Sequence, residues 1–414
     1  MKKRVLWVGD GPDVGSGFGR ATREILEVVN ASDRYEITVL GINHRGDPGT
    51  VPYPVYTAAA GGDAFGVGRM LFMCDLVRPD VIIIQQDGWY FPYYFNALRK
   101  KKENYEYESP DAAAVPVIGA VAIDGQNFNG EWLKDLTHTV FWTQFGQSEA
   151  RQGGFTGEST VIPLGVDLST FFPVNREGAL ERQQLGVLKD KFIVGNVNRN
   201  QYRKRWDLTL RYFALWVHKY GIKDAFLFLH SAPTGDRALN IADLAKFYRI
   251  NKMVALYEPQ PFYGKPDEDM RDVYNCFDVA ISTSQGEGMG LTAMEAMACG
   301  VPCILPQFAA LGDWAAGAAA MIPCTSYSLQ SFHPDINVIG GVADETQFVA
   351  ALDRFYRERD TAKKIGEYGL KRVSESRFRW ENIGQQWLTV LDNLFIIPEV
   401  PEGSDEIWQE VGQR

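Results

Sequence analysis

Cysteine and histidine are scarce, five of each in 414 residues. The cysteines, Cys74, Cys276, Cys299, Cys303 and Cys324, fall into no metal-ligand spacing. An odd number set in apolar runs such as AMACGVPCIL argues against a disulfide framework and reads as buried free thiols in a reducing compartment. The histidines lie far apart in sequence, and His230, after FLFL at the end of an expected strand, reads as a structural residue in preference to a cleft residue. No stretch reaches the ~18 uninterrupted apolar residues that span a bilayer. The opening MKKRVLWVGDG has four apolar residues after its cations, too few for a signal peptide. The expectation is a cytoplasmic protein with no transmembrane segment, for which peripheral membrane contact stays open. Cations are also short, 42 Lys and Arg against 52 Asp and Glu, and the resulting charge of -10 disfavours polyanionic partners at long range. Two local basic clusters remain, LRKKK at 98–102, which reads as a solvated loop or helix end, and NRNQYRKR at 198–205.

What is present is an ordinary globular composition, 45% hydrophobic and 23% charged, on a chain longer than the roughly 250 to 300 residues one core usually serves. Two domains are expected. VLWVG (5–9), a glycine-rich turn, the amphipathic RATREILEVVN and YEITVLGI form a β-loop-α-β start. Further continuous apolar runs at 81–85, 115–123, 138–143 and 159–165 suit strands covered on both faces. A second alternation begins at FIVGNV (192–197) and runs to CILP (303–306). The reading is α/β, with domains at 1–170 and 185–375 and a C-terminal segment, 376–414, that ends in an acidic tail.

The stretch QGEGMGLTAMEAMACGVP (285–302) sets two glutamates around a loop-to-helix junction. A helix start has unpaired N–H groups and the positive end of the dipole, so it attracts phosphate or carboxylate oxygens. Glycines at 286, 288 and 290 would let a ligand approach that backbone closely. Glu287 would lie at one end of such a ligand and Glu295 further along it, a pattern suited to a sugar, a diphosphate and a ribose. The plainer alternatives are that the glycines only turn the chain and that Thr292 and Glu295 form a capping box.

QGEGMGLTAMEAMACGVPCILP resembles the donor-binding motif of retaining glycosyltransferases of family 4, which carry two glutamates separated by seven residues, as Glu287 and Glu295 are. NVNRNQYRKR resembles the family's diphosphate segment, an arginine and a lysine five apart, here Arg199 and Lys204. VIPLGVDLSTFFP, DMRDVYNCFDVAISTS and RFRWENI resemble other family landmarks, so the likeness covers most of the chain. It implies the GT-B fold, two Rossmann-like doubly wound parallel-sheet domains facing a cleft, with a final helix returning to the first domain.

The resemblance further implies a retaining transfer of a hexose from a nucleoside-diphosphate sugar, a UDP-sugar favoured, to a hydroxyl acceptor, with no metal or other cofactor. Glu287 would hold the transferred sugar and Glu295 the ribose. Arg199, Lys204 and the amides of Gly288, Met289, Gly290 and Leu291 would hold the diphosphate. Gly15, Gly17 and Gly19, in GSGFGR, would face the cleft near the donor phosphate or the acceptor, with Arg20 adding charge. Where many relatives have a histidine, VAIDGQN has Asp124, which would orient a sugar hydroxyl, accept the acceptor's proton, or simply cap a turn. DED at 267–269 reads as an acidic helix start, not as a metal site. A saccharide, a glycolipid or a hydroxymethylated DNA base all remain open as acceptor, with DGWYFPYYF (87–95) a stacking candidate. A GT-B nucleotide-sugar epimerase and a non-catalytic sugar-nucleotide sensor are the rivals.

Overall fold

A computed structural model describes residues 2–46, 51–59, 61–104, 115–231, 239–257, 265–330 and 336–395. In chain order the first half contains β1 (Lys3–Asp10), α1 (Gly17–Ala31), β2 (Tyr35–Ile42), β3 (Val55–Thr57), α2 (Val67–Val77), β4 (Val81–Asp87), α3 (Phe91–Asn104), β5 (Val117–Ala122), β6 (His138–Phe141), α4 (Gln144–Gln152) and β7 (Ser159–Val161). After α5 (Arg176–Arg182) the second half contains β8 (Phe192–Val197), α6 (Trp206–Tyr220), β9 (Ala225–His230), α7 (Ile241–Phe247), β10 (Val254–Tyr257), α8 (Asp267–Asn275), β11 (Val279–Ile281), α9 (Leu291–Ala298), β12 (Cys303–Gln307), α10 (Ala309–Trp314), β13 (Ala320–Leu329), β14 (Ile339–Ala343), α11 (Glu345–Arg357), α12 (Arg359–Val373) and α13 (Trp380–Asn393).

The strands form two seven-stranded sheets, β3-β2-β1-β4-β5-β6-β7 and β10-β9-β8-β11-β12-β13-β14. Each has the order 3-2-1-4-5-6-7 within its own half, so the chain uses one doubly wound topology twice. The first sheet is parallel throughout, and the second departs only at its edge, where β13 and β14 pair antiparallel. Apolar runs without alternation fit this arrangement because helices cover both faces: Val5, Leu6, Trp7 and Val8 of β1 are all fully buried. In such sheets ligands settle beyond the carboxyl ends of the strands, where the winding reverses. Here those points lie between β1 and β4 and between β8 and β11.

α13 crosses back to the first half. Trp387 meets Trp7 with ring centroids 5.5 Å apart, and a Cβ on Gly384 would come within 2.3 Å of Val28 Cβ, so the helix lies directly against α1. A second junction is made of backbone. Gln126, just beyond β5, exchanges two 2.9 Å hydrogen bonds with Ile339 at the start of β14, and Asn127 Nδ2 donates to the Asn337 carbonyl at 2.9 Å. The β13–β14 pair therefore projects from the second sheet and catches the segment that follows β5. Among the described residues no helix is long and apolar enough to cross a membrane. The five cysteines are free thiols.

Candidate functional site between the two sheets

The second domain supplies the loop between β11 and α9. Gly290, at φ 87°, turns the chain into α9 in a conformation that favours glycine, and no side chain caps the helix. The capping-box alternative is thus not formed: the Glu295 carboxylate turns away from the helix start and accepts a 2.6 Å hydrogen bond from Tyr274 Oη. The other two glycines meet the first domain. A Cβ on Gly286 would lie 1.6 Å from the Asp124 carbonyl oxygen, and one on Gly288 would lie 2.8 Å from Ala122 Cβ. Their missing side chains let the two domains close on each other there.

Glu287 is buried and held at both oxygens. Lys204 Nζ pairs with Oε1, and Arg203 Nη1 lies 3.3 Å from Oε2. Burial alone would raise its pKa, but Lys204 and Arg203 outweigh that and hold the carboxyl below its usual range. Lys204 is itself pushed down to about 8, chiefly by burial and then by the neighbouring Arg203, against the pull of Glu287. Both cations come from a short 3-10 turn, Tyr202–Lys204, that follows β8.

Glu295 sits a turn into α9, also buried, with Arg20 Nε 3.5 Å from Oε1. Burial raises its pKa against the opposing effects of Arg20 and Tyr274. Arg20 reaches across from α1: its guanidinium also forms a two-bond pair with Asp267 at the start of α8 and lies 5.4 Å from the Phe171 ring centroid. Burial would lower its pKa, yet Glu295 and Asp267 raise it. Arg20 is therefore an interdomain cation already paired with two acids, and the acidic start of α8 is used to bind it. Among the described residues no group of three or more His, Cys, Asp or Glu is arranged to hold a metal.

The first domain supplies the opposite wall. Asp10, Asp87 and Asp124 lie at or just beyond the ends of β1, β4 and β5, which are adjacent in the sheet. Asp10 accepts from Ser16 Oγ and from Asn43 Nδ2 at 3.0 Å. Asp124 Oδ2 is 3.3 Å from Arg203 Nε. Asp87 is pushed up to about 7, first by burial and next by the charge of Asp124. Burial likewise raises Asp10 and Asp124, although Ser16 and Asn43 oppose it at Asp10 and Arg203 opposes it at Asp124. Arg199 is exposed after β8, and its charge acts on both Asp10 and Asp87, so it faces this wall.

Gly15, in the loop before α1, and Gly17, the first residue of α1, are exposed, and a Cβ on Gly17 would sit 3.5 Å from Leu291, which sets the start of α1 opposite the start of α9. Gly19 is different. Its amide donates to Ser16 Oγ at 3.0 Å as part of the α1 cap, and a Cβ there would strike the Val14 carbonyl at 2.3 Å. His230 ends β9, buried and pushed down to about 4 by burial and Lys265, hence neutral. DGWYFPYYF forms the end of β4, a short 3-10 turn and the start of α3, with Tyr90 stacked 4.1 Å from Phe65 and Tyr93 exposed. The basic run LRKKK falls in α3, where Arg99 pairs with Asp135 at 2.9 Å.

Glu287, Lys204, Asp124, Glu295 and Arg20 are thus brought to one seam, with Gly288, Met289, Gly290 and Leu291 between the two glutamates. Residues 179–311 match the family model described as glycosyl transferases group 1. That segment is similar to a group 1 glycosyltransferase domain. Curated relatives include D-inositol 3-phosphate glycosyltransferases from Corynebacterium urealyticum, 25% identical over 58% of this chain and 52% of that one, and from Mycolicibacterium gilvum, 34% identical over 36% of this chain and 31% of that one. The chain spans about half the length of the first of these and less of the second. Among solved structures, sucrose-phosphate synthase from Thermosynechococcus elongatus superposes with a TM-score of 0.72 at 17% identity, covering 95% of this chain and 99% of that one. Anabaena HepE in complex with UDP-glucose gives 0.69 at 14% identity, covering 94% and 99%. These likenesses establish the GT-B fold over nearly the whole chain.

Several residues of this seam carry no separate signal in the sequence. Arg203 is hidden inside a basic cluster, where only the spacing of Arg199 and Lys204 stands out. Tyr274 and Asp267 become partners of Glu295 and Arg20 only when α8, α9 and α1 meet. Asp87 gains its place from the strand order.

Proposed function

We propose that this chain is a retaining glycosyltransferase that moves a hexose from a nucleoside-diphosphate sugar, a uridine diphosphate sugar favoured, to a hydroxyl acceptor. The observation that carries the reading is the disposition of the two buried glutamates. Glu287 and Glu295 flank the start of α9, one fixed by Lys204 and Arg203 and the other by Tyr274 and Arg20. A solved neighbour's complex with UDP-glucose supports the donor class.

In this reading the diphosphate lies against the amides of Gly288 to Leu291, with Arg199 and Lys204 offsetting the charge that grows as the glycosidic bond breaks. Glu287 accepts hydrogen bonds from hydroxyls of the sugar, and Glu295 does the same for the ribose. The cations on Glu287 suit it to orienting the sugar more than to attacking it. That favours entry of the acceptor on the face the phosphate leaves, with the departing phosphate taking the acceptor's proton, over a covalent glycosyl intermediate. Asp124 and Asp87 line the acceptor side.

Incubation with UDP-glucose and a panel of hydroxylated acceptors tests the reaction. The expected result is release of UDP with an α-linked glycoside. Conversion of the sugar to an isomer without UDP release would instead mark an epimerase, and binding with no turnover would mark a sensor. Affinity for UDP supplies a second check. Replacing Arg199 and Lys204 together by alanine is expected to weaken it about ten- to hundredfold for each cation removed. In the parent, a bound diphosphate favours charged Lys204, whose pKa without ligand is lowered to about 8. Binding should therefore take up a proton and weaken as the pH rises above 8, which calorimetry in buffers of different ionisation enthalpy measures. Affinity that does not change across that range would remove Lys204 from the diphosphate site.

A further inference from the structure

We propose that Arg203 is a positioning residue that makes assembly of the sugar pocket conditional on domain closure, because its one guanidinium ties Asp124 of the first domain to Glu287 and Gly286 of the second. The inference rests on the glycosyltransferase reading and adds to it a residue that bridges donor and acceptor sides.

The geometry is specific. Nη1 donates to the Gly286 carbonyl at 2.7 Å and lies 3.3 Å from Glu287 Oε2, while Nε lies 3.3 Å from Asp124 Oδ2. The Arg203 carbonyl accepts from Gln285 N at 2.7 Å, so its main chain and side chain grip the same loop. Around it the two domains touch through backbone. Gly286 abuts the Asp124 carbonyl, which also accepts from Gln330 Nε2 at 2.8 Å, and Gln126 pairs with Ile339. Arg203 is the charged centre of that patch.

Its chemistry matches the position. The charge of Asp124 acts on Asp87 and that of Glu287 acts on Asp124, and Arg203 is a cation common to all three. Without Arg203, Asp124 and Glu287 face each other across the domain boundary with Lys204 alone between them, and their repulsion favours the open cleft. Glu287 also loses the anchor on one oxygen. A planar guanidinium can serve two carboxylates and a carbonyl at once, and an ammonium cannot reproduce that fork. In the open state the donor stays on the second domain, but the acceptor wall no longer meets it and water gains access.

The test compares the parent with Arg203→Gln, Arg203→Lys and Arg203→Gln combined with Asp124→Asn. Donor KM, kcat, UDP affinity and the ratio of donor hydrolysis to transfer are read together. Arg203→Gln is expected to lower transfer kcat about ten- to hundredfold through misplacement of the sugar and to raise the hydrolysis ratio. UDP affinity should stay within about twofold of the parent. Arg203→Lys should recover only part of the loss. Adding Asp124→Asn removes the repulsion, so small-angle scattering with UDP should show the double variant more compact than Arg203→Gln alone. Unchanged transfer in Arg203→Gln, a double variant no more compact with UDP than Arg203→Gln, or a fall in UDP affinity as large as the fall in kcat would each overturn the inference while leaving the glycosyltransferase reading intact. A parent that releases no nucleoside diphosphate from any nucleotide sugar would overturn that reading and this inference with it.

Discussion

Glu287→Gln is expected to lower the transfer rate about a hundredfold while UDP affinity stays near that of the parent, the scale of losing one preorganised charged partner at a reacting centre. Glutamine keeps the shape but only one acceptor oxygen, so one of Arg203 and Lys204 keeps its acceptor while the other faces an amide donor. It loses the charge that orients the sugar's hydroxyls. The variant should still fold, because Lys204, already pushed down to about 8, can shed its proton once Glu287 no longer favours the charged form. Thermal unfolding and steady-state kinetics, measured side by side, separate the two effects. Transfer at the parental rate would take Glu287 out of the sugar site.

The second large effect is steric and acts at the seam. Gly286→Val should cut transfer at least as strongly as Glu287→Gln, because even a Cβ at 286 would stand 1.6 Å from the Asp124 carbonyl and 2.5 Å from Gln330 Nε2. The backbone contact between the domains cannot form around it. The helix start that would receive the diphosphate begins beyond Gly290, at Leu291, so UDP binding should persist and scattering should report an open cleft. Gly186→Ala is the matched control: a Cβ there has no neighbour within 4 Å, and transfer should not change. If Gly286→Val transferred sugar at the parental rate, closure at this seam would have no part in the reaction.

Much of the fold can be read in the chain. YEITVLGI and FIVGNV coincide with β2 and β8 because strands covered on both faces carry an unbroken apolar signal. STVIPLG is less exact: only Ser159–Val161 pairs, at the sheet edge, where fewer partners extend a strand. The pattern falls silent between CILP and RFRW. There β13 is half-exposed and pairs antiparallel with β14, so the parallel-strand signature does not apply to it, although α11 carries a helical spacing in Phe348, Val349, Leu352 and Phe355. For the site, the glycine-rich loop before a helix draws attention to Glu287 and Glu295, and the resemblance to family 4 draws attention to Arg199 and Lys204. Spacing does not show that Gly286 and Gly288 also make room for the first domain at Asp124 and Ala122, a requirement that arises only when two distant segments meet. Arg203 escapes for the same reason. Its partners stand 79 and 84 positions away in sequence, by subtraction of residue numbers, and no local period marks it.

The central claim is that a nucleoside diphosphate sugar lies between Glu287 and Glu295 at the start of α9. A crystal structure of the protein soaked with UDP tests it most directly. The account predicts diphosphate oxygens within hydrogen-bond reach of Lys204 Nζ, Arg199 and the amides of Gly288 to Leu291, with the ribose hydroxyls on Glu295. A nucleotide bound elsewhere, with Lys204 still paired only to Glu287 and the start of α9 untouched, would contradict it.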